Sequence, residues 1–183
     1  MWRFPDRTTA IGRMINGYLT SEAEIDDAGV HLLFSANRWE KREALLAKLR
    51  GGTTLVVDRY AYSGVAFTAA KALPGLDRGW CQAPDAGLPA PDAVFFLELS
   101  AEAAEARGGY GEERYEKAEF QAAVLRQFAA LRGPGWRVVD AAQSVEALHS
   151  ELSAAAAGVV ASAAAGAPLR RLWDGVALPQ AAP

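Results

Sequence analysis

Residues 54–60, with the sequence TLVVDRY, decide the fold of this chain. The run 53–57 is apolar and β-branched and follows two glycines, a pattern typical of a buried strand. The apolar runs 93–99 and 136–139 have the same character. Segments with helical spacing separate the three runs, and hydrogen-bonded parallel strands require such crossovers. The sequence therefore predicts an α/β fold in which helices cover both faces of a parallel sheet.

The composition limits the chain to one ordinary domain and excludes several classes of function. Its 183 residues carry a formal net charge of -3 at pH 7, so no overall positive field exists to bind nucleic acid. A single cysteine, Cys81, excludes internal disulfides and cysteine-rich zinc sites, and two histidines do not suffice for a histidine metal centre. No apolar stretch approaches the roughly 18 residues of a membrane span. We therefore expect a soluble intracellular protein.

Two charged positions are candidate phosphate and metal contacts. Asp58 and Arg59 follow the strand 53–57, and ligands bind at the carboxyl ends of parallel strands. Asp58 can orient the water shell of Mg²⁺ there, and the forked donors of Arg59 can hold phosphate oxygens. The alternative is a solvated ion pair on a loop. Arg7, which precedes the first predicted helix, is a second candidate phosphate contact or else a surface residue after a turn.

The segment 31–40, HLLFSANRWE, supplies a candidate base reader. Phe34 and Arg38 are four residues apart and share one helical face, so a ring and a forked donor could meet a nucleobase together. The alternative places Phe34 in the core and pairs Arg38 with a carboxylate in solvent. We interpret His31 as a structural histidine rather than a metal ligand.

The charged, glycine-rich segment 105–116 is a candidate lid. It contains Arg107 and Arg114, and arginines on a hinged loop can close over transferring phosphates and exclude water. The alternative is a mobile surface loop. Elsewhere the pattern predicts a long ordered loop over 75–91 and a C-terminal piece, 168–173, that docks on the body. Helices are predicted at about 11–19, 27–49, 63–73, 101–107, 116–132 and 144–160.

Taken in order, seven stretches of this sequence resemble the thymidylate kinases of eukaryotic type. The most specific are HLLFSANRWE (31–40) and TLVVDRYAYSGVAFT (54–68). The others are RFPDRTTAIG (3–12), GLPAPD (87–92), RGGYGEERYE (107–116), WRVVDA (136–141) and PLRRLW (168–173). The resemblance implies a fold of the P-loop nucleoside monophosphate kinase type, with a three-layer parallel sheet. It also implies an enzyme that transfers the γ-phosphoryl group of ATP to dTMP with Mg²⁺, for dTDP and dTTP biosynthesis.

The resemblance further implies roles for individual residues on the dTMP side. Arg7 and Arg59 would hold the phosphate, and Phe34 would stack on thymine while Arg38 hydrogen-bonds its edge. The remaining residues expected to face dTMP are Gly64, Phe67, Tyr115 and Gln121. Separate groups for the phosphate and for the base suit phosphoryl transfer, because this reaction depends on positioning the substrate and neutralising its charge.

On the donor side, the resemblance implies a lid over about 97–121 and an ATP contact near the end of the last strand. Asp58 would act on the magnesium shell through water, and Ala142 and Gln143 would border the adenine of ATP. The expected catalytic residues are Asp58, Arg59, Arg107 and Arg114. The resemblance also implies a homodimer and a cytoplasmic location, with nucleus and mitochondrion left open.

The main departure of the sequence from this family concerns the phosphate loop. No G-x-x-x-x-G-K-[ST] phosphate loop occurs in it, so we expect the first and central strand of the sheet to be missing, as in an incomplete chain or a short isoform. We expect the domain to cover 1–174 and 175–183 to form a disordered tail. The alternative function is a truncated, non-catalytic protein that binds dTMP or dimerises.

Overall fold

Parallel strands form two separate pairs in this protein. The computed structural model describes residues 1–100, 103 and 118–174. The first pair is β1 (Trp2–Arg3) with β2 (Val57–Asp58), and the second is β3 (Val94–Glu98) with β4 (Trp136–Asp140). Within the described residues, no strand ladder joins one pair to the other. Parallel strands with intervening helices make the fold α/β, as the sequence predicted.

The first predicted strand is shorter than the sequence pattern indicated. Of the range 53–57, only Val57 belongs to β2. The reason is that β1 has two residues, so it pairs only with Val57 and Asp58. Val56 accepts a hydrogen bond from the Trp2 backbone N–H (2.8 Å), but its side chain is 63% exposed. β1 itself was not predicted, since two residues carry no periodic signal. The other two predicted strands lie within a residue or two of β3 and β4.

Helices account for most of the described chain. They are α1 (Ala10–Leu19), α2 (Asp27–Trp39), α3 (Arg42–Arg50), α4 (Ala61–Ala69), α5 (Arg78–Gln82), α6 (Ala118–Leu131) and α7 (Val145–Ala164). A 3₁₀ helix, Ala83–Asp85, follows α5, so the predicted loop 75–91 contains helical turns. The predicted helix 101–107 lies, except for residue 103, outside the described residues. In the part of the chain that the structure describes, no helix is both long and apolar enough to cross a membrane.

The predicted helix 27–49 is two helices, α2 and α3, because the residues between them bind the loop before α1. Glu40 Oε1 accepts hydrogen bonds from the Thr9 hydroxyl (2.7 Å) and from Asn37 Nδ2 (2.6 Å). Lys41 forms an ion pair with Asp6 at 2.7 Å. The turn is therefore fixed by polar contacts that the hydrophobic pattern does not contain.

Polar side chains begin several helices by accepting hydrogen bonds from backbone N–H groups of the first turn. Thr9 does so for α1, where its hydroxyl lies 2.9 Å from the Gly12 nitrogen. The same turn needs glycine at position 12, since a Cβ there would lie 1.8 Å from the carbonyl oxygen of Asp6. Close approach of these two backbones brings the loop 4–9 against α1. The other capping residues are Asp26 for α2, Asp77 for α5 and Ser144 for α7.

One part of the apolar core lies between α1 and α2. Helices α1 and α2 pack through Ile15, Tyr18, Leu19 and Val30, each at most 6% exposed. Helical spacing explains this contact, because Ile11, Ile15 and Tyr18 share one face of α1, and Val30, Leu33 and Phe34 share one face of α2.

An aromatic group connects α4 and α6 to the second strand pair. Phe128 of α6 lies 5.1 Å from Phe96 and 6.5 Å from Phe67, between ring centroids. The Tyr62 ring meets Trp136 edge-on at 5.0 Å. These rings hold β3 and β4 against α4, the helix that follows β2. The second strand pair is therefore positioned relative to the first by side-chain contacts.

His31 is a buried structural histidine, as the sequence indicated. It is 1% exposed, and both ring nitrogens have partners: Nδ1 lies 2.8 Å from the Thr68 hydroxyl and Nε2 lies 2.9 Å from the Cys81 carbonyl oxygen. A carbonyl oxygen only accepts, so Nε2 carries the proton and Nδ1 accepts from Thr68. Burial lowers the pKa of His31 below its ordinary value of 6.5.

The C-terminal segment docks on the body through paired backbone. The Leu172 N–H donates to the Leu88 carbonyl (2.8 Å), and the Gly87 N–H donates to the Leu172 carbonyl (2.9 Å). Ala90 N–H donates to the Arg170 carbonyl at 2.9 Å. The Leu172 side chain, 2% exposed, packs in a buried cluster with Ala61 and Leu88. We call residues 170–172 the C-terminal strap.

Shortening the buried strap residue tests this docking. We expect Leu172→Ala to lower the free energy of unfolding by about 2–4 kcal/mol, because it leaves a cavity beside Leu88. Leu169→Ala is the matched control, since Leu169 is 48% exposed and its loss should change stability by less than about 0.5 kcal/mol. Urea unfolding followed by circular dichroism gives both values. Equal effects of the two substitutions would contradict the docking.

The lowered pKa of His31 predicts a stability that depends on pH. Because the pKa of His31 is lower in the folded state, the unfolded state binds more protons as the pH falls below 6.5. The contribution of neutral His31 to the free energy of unfolding is therefore complete above pH 6.5. It is lost as the pH falls from 6.5 through the lowered folded pKa. We expect wild type to lose more unfolding free energy than His31→Gln between pH 7.5 and pH 5, measured by urea unfolding at each pH. Parallel pH profiles for the two proteins would show that His31 is not buried neutral.

Candidate active site

A cavity of about 1290 Å³ opens where the first strand pair ends. Its walls come from the carboxyl ends of β1 and β2, from α2 and from α4. Seven of the lining residues were expected from the sequence to contact dTMP: Arg7, Phe34, Arg38, Arg59, Gly64, Phe67 and Gln121. Asp58 lines the same cavity. The structure thus brings together side chains that are as much as 114 positions apart in the sequence.

The loop that carries Arg7 is held in place by a buried amide. Asn37 is fully buried; its Oδ1 accepts from the Asp6 N–H (2.8 Å), and its Nδ2 donates to the Asp6 carbonyl (3.2 Å). Arg7 Nη1 donates to Asn16 Oδ1 at 3.0 Å. The hydrogen bond from Lys41, with others from Thr8, lowers the pKa of Asp6 to about 2. The loop is therefore anchored at its anionic residue and presents Arg7 to the cavity.

Arg59 occupies an unusual backbone conformation at the end of β2. Its φ is 60°, in the left-handed region that costs a side-chain-bearing residue of this kind about 1–3 kcal/mol. The guanidinium lies 5.6 Å from the centre of the Phe67 ring, a cation–π distance. The side chain of Arg59 thus reaches Phe67 near the end of α4, and both residues line the cavity.

Asp58 pairs with Arg3 rather than with its neighbour Arg59. Arg3 Nε donates to Asp58 Oδ2 at 2.6 Å, which joins the ends of β1 and β2. Among the described residues, no three histidine, cysteine, aspartate or glutamate side chains converge to hold a metal ion. A single half-exposed carboxylate next to Arg59 still fits Mg²⁺, which keeps several waters and uses few protein ligands.

Arg38 is buried, contrary to the alternative that places it in solvent. It is 2% exposed, and its Nε and Nη2 donate to the two oxygens of Asp85 at 3.0 and 2.5 Å. The guanidinium also lies against Gly64, where a Cβ would come within 3.1 Å of Nη2. Phe34, one helical turn earlier, lines the same cavity and packs at the edge of the α1–α2 core. Both features of the candidate base reader therefore stand on one face of α2.

Asp85 and Asn37 are the functional residues that sequence reasoning missed. Asp85 sits in a segment rich in proline and glycine, and an aspartate there is typical of an exposed turn. Asn37 was quoted only as part of a motif. The burial of Asn37 and Asp85 depends on hydrogen-bond partners that are distant in the chain. No local sequence pattern therefore predicts it.

Tyr60 also lines the cavity and has an unusual environment. Its hydroxyl is buried and has no hydrogen-bond partner among the described residues. Burial raises the pKa of Tyr60 well above its ordinary value. The phenol therefore stays neutral and acts as a wall of the cavity, packed against Phe4 at 5.7 Å between ring centroids.

The donor-side residues stand apart from this cavity. Ala142 N–H donates to Asp140 Oδ1 at 2.8 Å, and Gln143 Nε2 donates to the Asp140 carbonyl (2.9 Å) and to Glu151 Oε2 (2.8 Å). These residues follow β4, at the carboxyl end of the second strand pair, and do not line the cavity. Arg107, Arg114 and Tyr115 lie outside the described residues, as does 175–183. Of the lid range 97–121, the structure describes 97–100, 103 and 118–121.

Comparison with known proteins agrees with this geometry. Residues 1–152 match the family model described as thymidylate kinase. The chain is 49% identical over 174 residues to a thymidylate kinase of Arabidopsis thaliana, covering 95% of this chain and 65% of that protein. It is 48% and 47% identical to those of Danio rerio and Homo sapiens, covering 93% of this chain and 81% of each.

A solved structure gives the same result for the fold. The thymidylate kinase of Candida albicans superposes with a TM-score of 0.80 at 33% identity, covering 93% of this chain and 84% of that one. The two strand pairs and the helices between them thus follow the fold of a nucleoside monophosphate kinase. The chain belongs to the thymidylate kinase family.

Proposed function

We propose that this chain takes part in the phosphorylation of dTMP to dTDP with MgATP as donor. The observation that carries the proposal is one cavity that joins two arginines at strand ends to an aromatic ring and a buried guanidinium on α2. A nucleoside monophosphate has matching chemistry, with a dianion at one end and a flat base with polar edges at the other. Family membership supports the same substrate.

In this proposal, Arg7 and Arg59 bind the phosphate of dTMP. Forked guanidinium donors match phosphate oxygens, and both side chains line the wall formed by the strand ends. Arg59 is turned across α4 by its strained backbone, so little reorganisation is needed when the phosphate arrives. The two cations would fix the acceptor oxygen and reduce its repulsion for the incoming phosphoryl group.

Phe34 and Arg38 bind the base. The ring of Phe34 offers a stacking surface, and Arg38 offers a donor to a carbonyl on the base edge. Gly64 and Phe67 lie on the deoxyribose side, where a Cβ at position 64 would come within 3.1 Å of Arg38 Nη2 and crowd it. Gln121 of α6 and Tyr115 are proposed to complete this wall.

The donor side rests on the family resemblance. Mg²⁺ would neutralise charge on the phosphates, with Asp58 holding its water shell. Arg107 and Arg114 are proposed to act from a lid over 97–121, and Ala142 and Gln143 to border adenine. We further propose a cytoplasmic homodimer, which sedimentation velocity would test directly.

Binding by calorimetry, together with dTDP formation from MgATP, tests the function. We expect dTMP to bind more tightly than dCMP or AMP, and Arg59→Met to weaken dTMP binding about 10- to 100-fold, because hydrogen bonds to charged groups contribute about 1.5–3 kcal/mol. Arg50→Met is the matched control, since Arg50 is an exposed residue on α3 outside the cavity. Equal affinity for AMP or dCMP would overturn the assignment of substrate.

Removing the stacking surface should affect affinity without unfolding the protein. We expect Phe34→Leu to weaken dTMP binding about 10-fold, since stacking of a base on an aromatic side chain contributes about 1–3 kcal/mol. Leu32→Ala on the same helix, at a position 48% exposed, should leave the affinity unchanged. Loss of affinity in both variants would point to damage to α2 rather than to lost stacking.

A further inference from the structure

We propose that Asp85 is a positioning residue that fixes the orientation of Arg38 and thereby selects the base. This inference rests on the proposed function and deepens it, because it concerns recognition of the same nucleotide. It assigns a role to a carboxylate that is fully buried and lies outside the residues expected to contact dTMP.

The carboxylate of Asp85 occupies two of the three nitrogens of Arg38. Nε lies 3.0 Å from Oδ1 and Nη2 lies 2.5 Å from Oδ2, a two-point contact that fixes both the plane and the direction of the guanidinium. The Ser35 hydroxyl, 2.8 Å from Oδ1, fixes the carboxylate in turn. The orientation of the guanidinium is thus fixed through Nε and one N–H of Nη2.

The third nitrogen, Nη1, makes no hydrogen bond to any described residue, and Arg38 lines the cavity. Its two N–H groups, with the second N–H of Nη2, are the donors left for a ligand. Gly64 bounds the guanidinium on another side, with a hypothetical Cβ 3.1 Å from Nη2 and 3.5 Å from Nη1. An N–H in this place requires an acceptor on the base edge. Thymine and uracil present the O4 carbonyl there, whereas cytosine presents an amino group, which is a donor.

The ion pair with Asp85 also makes Arg38 a poor partner for the phosphate of the nucleotide. Arg38 is 2% exposed and its charge is neutralised by Asp85, so a phosphate dianion would gain little electrostatic energy from it. The phosphate is left to Arg7 and Arg59 at the strand ends. Asp85 therefore contributes to the direction in which the nucleotide lies as well as to the choice of base.

The loop that carries Asp85 is itself attached to α2. Trp39 Nε1 donates to the Pro84 carbonyl at 2.6 Å, and the Ser35 hydroxyl lies 3.1 Å from the same oxygen. Asp85 thus moves with the helix that carries Phe34 and Arg38. A residue fixed in this way can hold a donor to within the tolerance that recognition needs.

The test is Asp85→Asn, with dTMP and dCMP affinities measured by calorimetry. The amide nitrogen of asparagine would face an N–H of Arg38, so one arm of the two-point contact is lost. We expect dTMP affinity to fall about 10- to 100-fold and the preference for dTMP over dCMP to shrink by a similar factor. Asp92→Asn, the same change at an exposed site outside the cavity, should alter neither value.

A double variant separates positioning from a general structural role. If Asp85 acts through Arg38, then adding Asp85→Asn to Arg38→Met should cause no further loss of dTMP affinity or of base preference. A further loss of the size seen in the single variant would overturn the inference. So would an Asp85→Asn protein that binds dTMP and discriminates against dCMP as wild type does.

A second variant covers the case in which Asp85→Asn fails to fold. Ser35→Ala keeps the ion pair but removes the hydroxyl that orients Asp85, and we expect a loss of dTMP affinity of about 3- to 10-fold with normal far-ultraviolet circular dichroism. Wild-type affinity in Ser35→Ala would then overturn the inference. A wild-type chain that binds dTMP and dCMP equally would instead overturn the proposed function, so the two failures are distinguishable.

Discussion

The buried ion pair between Arg38 and Asp85 is the interaction on which the site depends. Both side chains are almost completely withdrawn from water, at 2% and 0% exposure, so neither charge can be left without the other. Removal of one partner from such a pair costs about 3–5 kcal/mol. The pair therefore locks α2, the 3₁₀ helix and the Gly64 turn of α4 into one arrangement. The same ion pair thus stabilises the fold and fixes the direction of the Arg38 guanidinium at the cavity.

Helix α2 is held in place on several faces, each by a different partner. Phe34 and Arg38 face the cavity, while His31 bonds to Thr68 of α4 and to the Cys81 carbonyl of α5. Asn37 binds the loop before α1. A helix with polar contacts on several sides is a rigid element on which recognition groups keep their spacing.

Sequence reasoning predicted the parts of the fold that depend on local pattern. Strands β3 and β4 and most helices follow from apolar spacing, and Phe34 and Arg38 share a face because the helical period requires it. β1 was missed because its two residues are defined by pairing with β2 alone.

Motifs in the sequence predicted the residues of the candidate site, but not the contacts among them. Motifs quoted from the sequence contain most residues that line the cavity, yet they do not show which charges are paired. Arg38 appeared able to pair in solvent, and its partner Asp85 is 47 positions away in a segment with the composition of a turn. Pairings between distant charges follow from tertiary packing, which local spacing does not encode.

The C-terminal strap is a second attachment of the loop that carries Asp85. Its backbone hydrogen bonds to Leu172 are made by Gly87 and Leu88, a few residues after Asp85, and they add to the hydrogen bonds that join the loop to α2. By thermodynamic linkage, a ligand that requires both attachments to be intact also suppresses opening of the strap. Trp173, edge-on to Tyr62 at 5.6 Å, lies at the strap's end. The environment of its indole therefore depends on whether the strap is docked, so the fluorescence of this ring follows the attachment of the strap.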